Sequence, residues 1–192
     1  MNAPQADRLK LQIQTGQYGG VQKTHPRTNS RPGDQLPPLE LCSTAGNTVH
    51  LDQQARSSHL VLFFYPGDLE GLRYPEMSGC TPEACSFRDS VTDLRKLGAE
   101  IFGVNFHATS RQKSFVAREH LNFPLLSDEA EQLTVALGIP VWTTEHGERF
   151  VTRTTVIVRK GGTIAEIFDD VRPDGHVAAV LAAVEKLSTD GA

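Results

Sequence analysis

The run His59-Leu60-Val61-Leu62-Phe63-Phe64-Tyr65 constrains the fold more than any other part of the chain. A strand with one wet face alternates apolar and polar residues, so an unbroken apolar run calls for cover on both faces. Such a strand belongs in the middle of a sheet, with helices in front and behind. The flanking pattern supplies them. Ala84, Phe87, Val91 and Leu94 recur at three- and four-residue spacing and predict a helix over about 81–97. Glu100-Ile101-Phe102-Gly103-Val104-Asn105-Phe106 reads as the next central strand. A helix over 109–120 with Phe115 and Val116 inward, a short strand at 124–126 and a helix over 128–137 follow. Residues 138–150 read as a loop punctuated by Gly and Pro, and strands at 153–159 and 163–168 pair through the turn Lys160-Gly161-Gly162. An Ala-rich helix over 178–187 closes the chain. Ahead of the central strand, Leu39-Glu40-Leu41 and Val49-His50-Leu51 flank Ala45-Gly46-Asn47 and suggest a small hairpin. The order ββ-β-α-β-α-β-α-β-β-α is that of an α/β protein with helices on both faces of a central sheet, its parallel pairs joined by right-handed crossovers.

Residues 1–35 are polar and broken by Gly19-Gly20, Pro26, Pro32 and Gly33. They read as an extension, partly extended or disordered, ahead of a single domain over 36–192. The 192 residues carry a net charge of −4, which gives no reason to expect nucleic acid or an anionic membrane as partner. No apolar run approaches the roughly 20 residues of a membrane span. The segment from Met1 to Leu11 lacks the apolar core of a secretory signal. Three unevenly spaced cysteines are no disulfide framework. A cytoplasmic location is the expectation, and in that compartment a C-x4-C pair cycles rather than staples.

That pair lies in Gly79-Cys80-Thr81-Pro82-Glu83-Ala84-Cys85-Ser86-Phe87-Arg88-Asp89. Pro82 suits the first helical position and Thr81 the N-cap before it. Cys80, four residues before Ala84, then stands at the buried end of the apolar face. A thiol there feels the positive end of the helix dipole and unpaired N–H groups, which favour the nucleophilic thiolate. Cys42 reads as a small buried hydrophobe at the end of a hairpin strand. The seven histidines are scattered, with no pair at zinc-ligand spacing to a cysteine. His176 reads as a capping-region residue, and Trp142 and Phe150 as cover over the core or as the mouth of a pocket.

The string GCTxEACxFRD, following a strand that ends Phe64-Tyr65-Pro66, resembles the peroxiredoxins of the AhpC/TSA superfamily, most nearly the PrxQ or bacterioferritin-comigratory type. The resemblance continues through Phe123-Pro124-Leu125-Leu126-Ser127-Asp128 and Arg153-Thr154-Thr155-Val156-Ile157-Val158, and spans roughly 36–187. It implies a thioredoxin-like fold, with a mixed central sheet flanked by helices and an N-terminal β-hairpin. It implies a thiol peroxidase that reduces hydrogen peroxide and organic hydroperoxides, without cofactor or metal, as a monomer or homodimer. Cys80 would be the attacking thiolate, passing through sulfenic acid. Arg153 would hold the thiolate and the transferring oxygens, with Arg73 and Arg88 as rivals. Cys85 would close an intrachain disulfide, which a thioredoxin-like or glutaredoxin-like protein reduces.

The chain departs from the family's Pro-x-x-x-Thr/Ser-x-x-Cys. Met77 stands three residues before Cys80, so the orienting hydroxyl passes to Ser78, and Gly67 to Tyr74 read as an insertion or rebuilt loop. That departure keeps a second reading open: a redox sensor or interaction module using the same cysteine pair without turnover. In an intact helix, residues five apart rise about 7.5 Å and leave their Cα atoms about 8–9 Å apart. A disulfide needs about 4.4–6.8 Å, so the turns from about Cys80 to Phe87 are expected to unwind before the pair can bond.

Overall fold

The computed structural model describes residues 27–67, 77–169 and 171–190. The elements are β1 (Glu40–Ser43), β2 (Thr48–His50), α1 (Leu51–Ser57), β3 (His59–Phe64), α2 (Cys80–Lys96), β4 (Ala99–Asn105) and α3 (Thr109–Glu119). After them come β5 (Leu125–Ser127), α4 (Gln132–Leu137), β6 (Val141–Thr143), β7 (Arg149–Val151), β8 (Thr154–Val158), β9 (Ile164–Phe168) and α5 (His176–Asp190). Seven strands form one sheet in the order β2-β1-β5-β4-β3-β8-β9. β3 runs parallel to β4 and antiparallel to β8, and β4 runs parallel to β5. This is a thioredoxin-like α/β fold with a mixed sheet. β3 lies between two partners, as its unbroken apolar run demands.

The alternation of β3 divides the core in two. Val61, Phe63 and Tyr65 face one layer with Cys80, Ala84, Phe87, Val91 and Leu94 of α2 and Val180 and Val184 of α5. Leu60, Leu62 and Phe64 face the other, with Leu51 and Ala55 of α1 and Leu133 and Leu137 of α4. The first layer carries the reactive segment, because α2 starts directly over the carboxyl end of β3.

The hairpin forms with Leu41 opposite Val49 and Cys42 opposite Thr48. Leu51, read as the end of its second strand, instead starts α1, a one-to-two-turn helix that buries Leu51 and Ala55 four residues apart. α4 begins at Gln132 rather than at 128, because the Asp128 carboxylate accepts the N–H groups of Leu133 and Thr134 at 3.1 and 2.9 Å and so stays outside the helix. The loop over 138–150 contains a two-stranded antiparallel ribbon, β6 with β7. α5 starts at His176, two residues earlier than expected.

Of the polar N-terminal stretch, residues 1–26 lie outside the described residues. Further on, Asn29 N–H donates to Gly138 O at 3.2 Å, Gly33 N–H to Ile164 O at 2.8 Å and Leu36 N–H to Gly162 O at 2.8 Å. Of the loop read as an insertion, Gly67 to Tyr74, residues 68–74 with Arg73 also lie outside the described residues. Among the described residues no helix is long and apolar enough to cross a membrane.

Candidate active site

α2 starts two residues earlier than its sequence suggests. Gly79, not Thr81, is the N-cap residue, and its carbonyl accepts the Glu83 N–H at 3.1 Å. Cys80 is therefore the first helical residue and Pro82 the third, still within the turn whose N–H groups have no helical acceptor. Thr81 loses the N-cap role because the chain turns into the helix at a glycine that fits close packing. A Cβ on Gly79 would stand 2.4 Å from Cγ of Pro173 and 3.4 Å from Nη2 of Arg153. Gly79→Ala is expected to cost about 1–3 kcal/mol, the scale of overpacking, and to lower the peroxide reaction by moving Cys80 relative to Arg153. Thermal melting and a peroxide-rate assay on the variant check both effects.

Arg153, just before β8, meets Cys80 as the sequence reading expects. Its Nη2 lies 3.2 Å from the Cys80 sulfur. Its Nη1 donates to Oε2 of Glu83, which the sequence reading passed over. The three side chains are shut in together: Cys80 is 1% exposed, Glu83 0% and Arg153 7%. The signal for Glu83 was present. It stands three residues after Cys80 and four before Phe87, so a helix carries it on the apolar face. Burial raises the Glu83 carboxyl to about 7 against the opposing pull of Arg153. Burial also pushes the Cys80 thiol up, opposed by the charge and hydrogen bond of Arg153 and by a hydrogen bond from the Gly67 backbone, with Glu83 adding to the rise. The expectation of a thiol set low by the helix terminus is thus overturned in the closed site, where desolvation is the larger influence.

The other residues singled out from sequence fall around this triad. Ser78 sits in the turn before α2 on its exposed side, while Met77 beside it is buried. Cys85 is half-buried on α2, its thiol 3.9 Å from Oε2 of Glu119, and Arg88 Nη1 lies 3.6 Å from its sulfur. Arg88 thus serves Cys85, and its Nη1 also donates to Glu119 O at 2.8 Å. Cys42 is exposed, contrary to its reading as a buried hydrophobe, because Leu41 and Ser43 take the inward positions of β1. Phe150 is buried in the layer that holds Met77 and Cys80, with Trp142 against it at 4.8 Å between ring centroids. His176 is no simple capping residue. It is buried, with Nε2 2.8 Å from Thr155 Oγ1 and the rings of Phe87 and Phe168 edge-on to it. Burial and the charge of Arg153 hold it down to about 4, so it is neutral at pH 7. Among the described residues no three His, Cys, Asp or Glu side chains cluster as metal ligands would.

A thiol at the first turn of a helix, against a buried guanidinium on a thioredoxin-like sheet, can attack an electrophile and hold an oxyanion beside it. Those parts define a thiol-dependent peroxidase. The chain belongs to the AhpC/TSA family, whose model matches residues 32–167, and within it to the Bcp/PrxQ peroxiredoxins. It is 31% identical over 158 residues to peroxiredoxin Bcp of Bacillus subtilis (81% of this chain, 96% of that one). It is 32% identical over 159 residues to the chloroplastic peroxiredoxin Q of Triticum aestivum (81% and 67%). Among solved structures it resembles the bacterioferritin comigratory protein of Xanthomonas campestris, described for its alkyl peroxide reduction, at 27% identity and a TM-score of 0.70 (82% and 99%). It also resembles BcpB of Mycobacterium tuberculosis, at 26% identity and a TM-score of 0.69 (81% and 96%). The reading as a redox module without turnover is not favoured by these relatives.

Proposed function

We propose that Cys80 is the peroxide-attacking thiol of this enzyme, that Arg153 holds its thiolate, and that Cys85 is the resolving thiol. The observation that carries this reading is the 3.2 Å contact between Arg153 Nη2 and the Cys80 sulfur, with the guanidinium fixed from behind by Glu83. The thiolate attacks one peroxide oxygen, the O–O bond breaks, and the other oxygen leaves as water or an alcohol after taking up a proton. Arg153 remains charged throughout and steadies the developing negative charge. The Cys80 sulfenic acid then loses its hydroxyl as water when the Cys85 sulfur bonds to it. A thioredoxin-like or glutaredoxin-like dithiol reduces that disulfide and is itself oxidised. Substrates in this reading are hydrogen peroxide and organic hydroperoxides. Ser78, exposed ahead of the helix, would meet the peroxide as it enters.

Reduced protein treated with one equivalent of hydrogen peroxide and mapped by peptide mass spectrometry tests the assignment. The expected product is a Cys80–Cys85 link within one chain, with Cys42 still reduced and Cys42→Ser behaving as the native chain does. A Cys42–Cys80 link, or a bond between two chains, would sink it.

A further inference from the structure

The Cys80 sulfur is buried, and it can hold charge only where donors converge on it. Arg153 is one such donor. Another is the backbone of Gly67, just past the end of β3, which hydrogen-bonds the same sulfur. Gly67 is buried and has φ +141°, a conformation that residues with a Cβ disfavour. A Cβ there would lie 2.3 Å from Cε1 of His107, and 3.0 and 3.1 Å from its Nε2 and Nδ1. The imidazole therefore lies against the bare Cα of Gly67. His107 is itself held by a polar network at the carboxyl ends of β4 and β5. Its N–H donates to Asn105 Oδ1 at 2.9 Å and its carbonyl accepts the Ser127 hydroxyl at 2.8 Å. Gln112 Nε2 donates to the same Asn105 oxygen at 2.8 Å. With its backbone fixed, the ring fills the space beside the Gly67 Cα and packs that peptide in place.

We propose that the Gly67 N–H is a catalytic donor to the Cys80 sulfur and that His107 is the positioning residue that holds it there. This rests on the reading of Cys80 as the attacking thiol. Such a donor favours the thiolate over the thiol, so its contribution is to the fraction of sulfur ready to react. The glycine is required twice, once for its φ and once for the room that the ring takes up.

The reduced full-length chain, 15N-labelled, is titrated, and the thiolate absorbance near 240 nm that is missing from Cys80→Ser follows Cys80. The Gly67 amide proton is expected to shift with the same midpoint as Cys80, and to lose that titration in Cys80→Ser. His107→Ala is expected to move the Cys80 midpoint to higher pH and to lower the second-order rate with hydrogen peroxide at neutral pH roughly tenfold, the scale of one hydrogen bond to a charged group. His107→Phe, which restores a ring against Gly67, is expected to recover most of that loss. A Gly67 amide that ignores the Cys80 titration overturns the proposal. So does a folded His107→Ala with an unchanged midpoint, or a His107→Phe as impaired as His107→Ala. If His107→Ala does not fold, the Gly67 titration in the native chain decides alone. Peroxide consumption surviving in Cys80→Ser would instead strike at the assignment of the attacking thiol.

Discussion

Arg153→Ala is expected to lower the second-order rate of peroxide reduction by about 10²-fold or more, the scale of losing one preorganised electrostatic contact. Two acids share this guanidinium, Cys80 through Nη2 and Glu83 through Nη1. Removing it leaves the thiolate without its counter-charge and pushes the Cys80 thiol further up. The proton also stays on Glu83, because an unpaired buried carboxylate is costly. Arg153→Lys should recover little, since a point charge cannot face two partners as the planar fork does. Stopped-flow fluorescence of Trp142, the single tryptophan, packed on the layer that holds Cys80, measures the rate. An unchanged rate would remove Arg153 from the reaction. Arg88 could not then take its place without leaving Cys85, and Arg73 would be the residue to test next.

The shared guanidinium also sets a pH dependence. Glu83, held at about 7, keeps its proton below that pH and leaves the charge of Arg153 to the sulfur. Above it, the ionised carboxylate competes for Arg153 and pushes the thiol up. Glu83→Gln is therefore expected to shift the rising limb of the rate profile to lower pH, provided glutamine still holds the guanidinium. Stability follows the same group. The folded carboxyl is raised above its unfolded value of about 4.3, so its contribution is fully present at acid pH. It is lost as pH rises from there to about 7 and is flat beyond. Denaturant melts of Glu83→Gln should lack that slope.

The elements legible in the sequence are those whose own residues carry a long period. β3 is a continuous apolar run, β4 is one from Ile101 to Val104, and α2 repeats Ala84, Phe87, Val91 and Leu94 over three turns. α1 and the β6–β7 ribbon escaped because seven and three residues are too short to show a period. Cys42 was misplaced because a four-residue strand is too short to show which face is inward and leaves that to the register with its neighbours β2 and β5. Within the site, the meeting of Arg153 with Cys80 was legible through the motifs that carry them. Glu83 was not, because a carboxylate is ordinarily a surface residue and its burial follows only once Arg153, 70 residues away, is placed opposite it. Gly67 and His107 meet only when β3 and β4 lie side by side, and nothing in either segment announces the other.

Cys85→Ser is expected to abolish sustained turnover with a thioredoxin-type reductant while leaving the first reaction with peroxide intact. Cys80 sulfenic acid then accumulates and passes to sulfinic acid at peroxide levels the native chain tolerates. The reason lies in the helix. Cys80 and Cys85 both belong to intact α2, where residues five apart stand about 8–9 Å between Cα atoms, beyond the reach of a disulfide. The start of α2 must open for the bond to form, and the packing of α2 sets where that opening is expected to stop. Phe87 is wholly buried, with its ring 4.7 Å from that of Phe63, so unwinding as far as Phe87 would cost a core aromatic. One residue on, Arg88 is tied to the end of α3 through Glu119 O at 2.8 Å, and its own carbonyl accepts Asn122 Nδ2 at 3.1 Å. The opening is therefore expected to stay within residues 80–86, shorter than the sequence alone suggested. For Cys85 to reach Cys80 it must also leave Glu119 and Arg88, so their contacts with its sulfur oppose the opening. Hydrogen exchange on the reduced and the disulfide forms tests the boundary. Amides of residues 80–86 should exchange faster in the disulfide form, with those from Arg88 to Lys96 equally protected in both. Loss of protection running through Arg88 would place the hinge further along α2, and equal protection of 80–86 in both forms would rule out the switch.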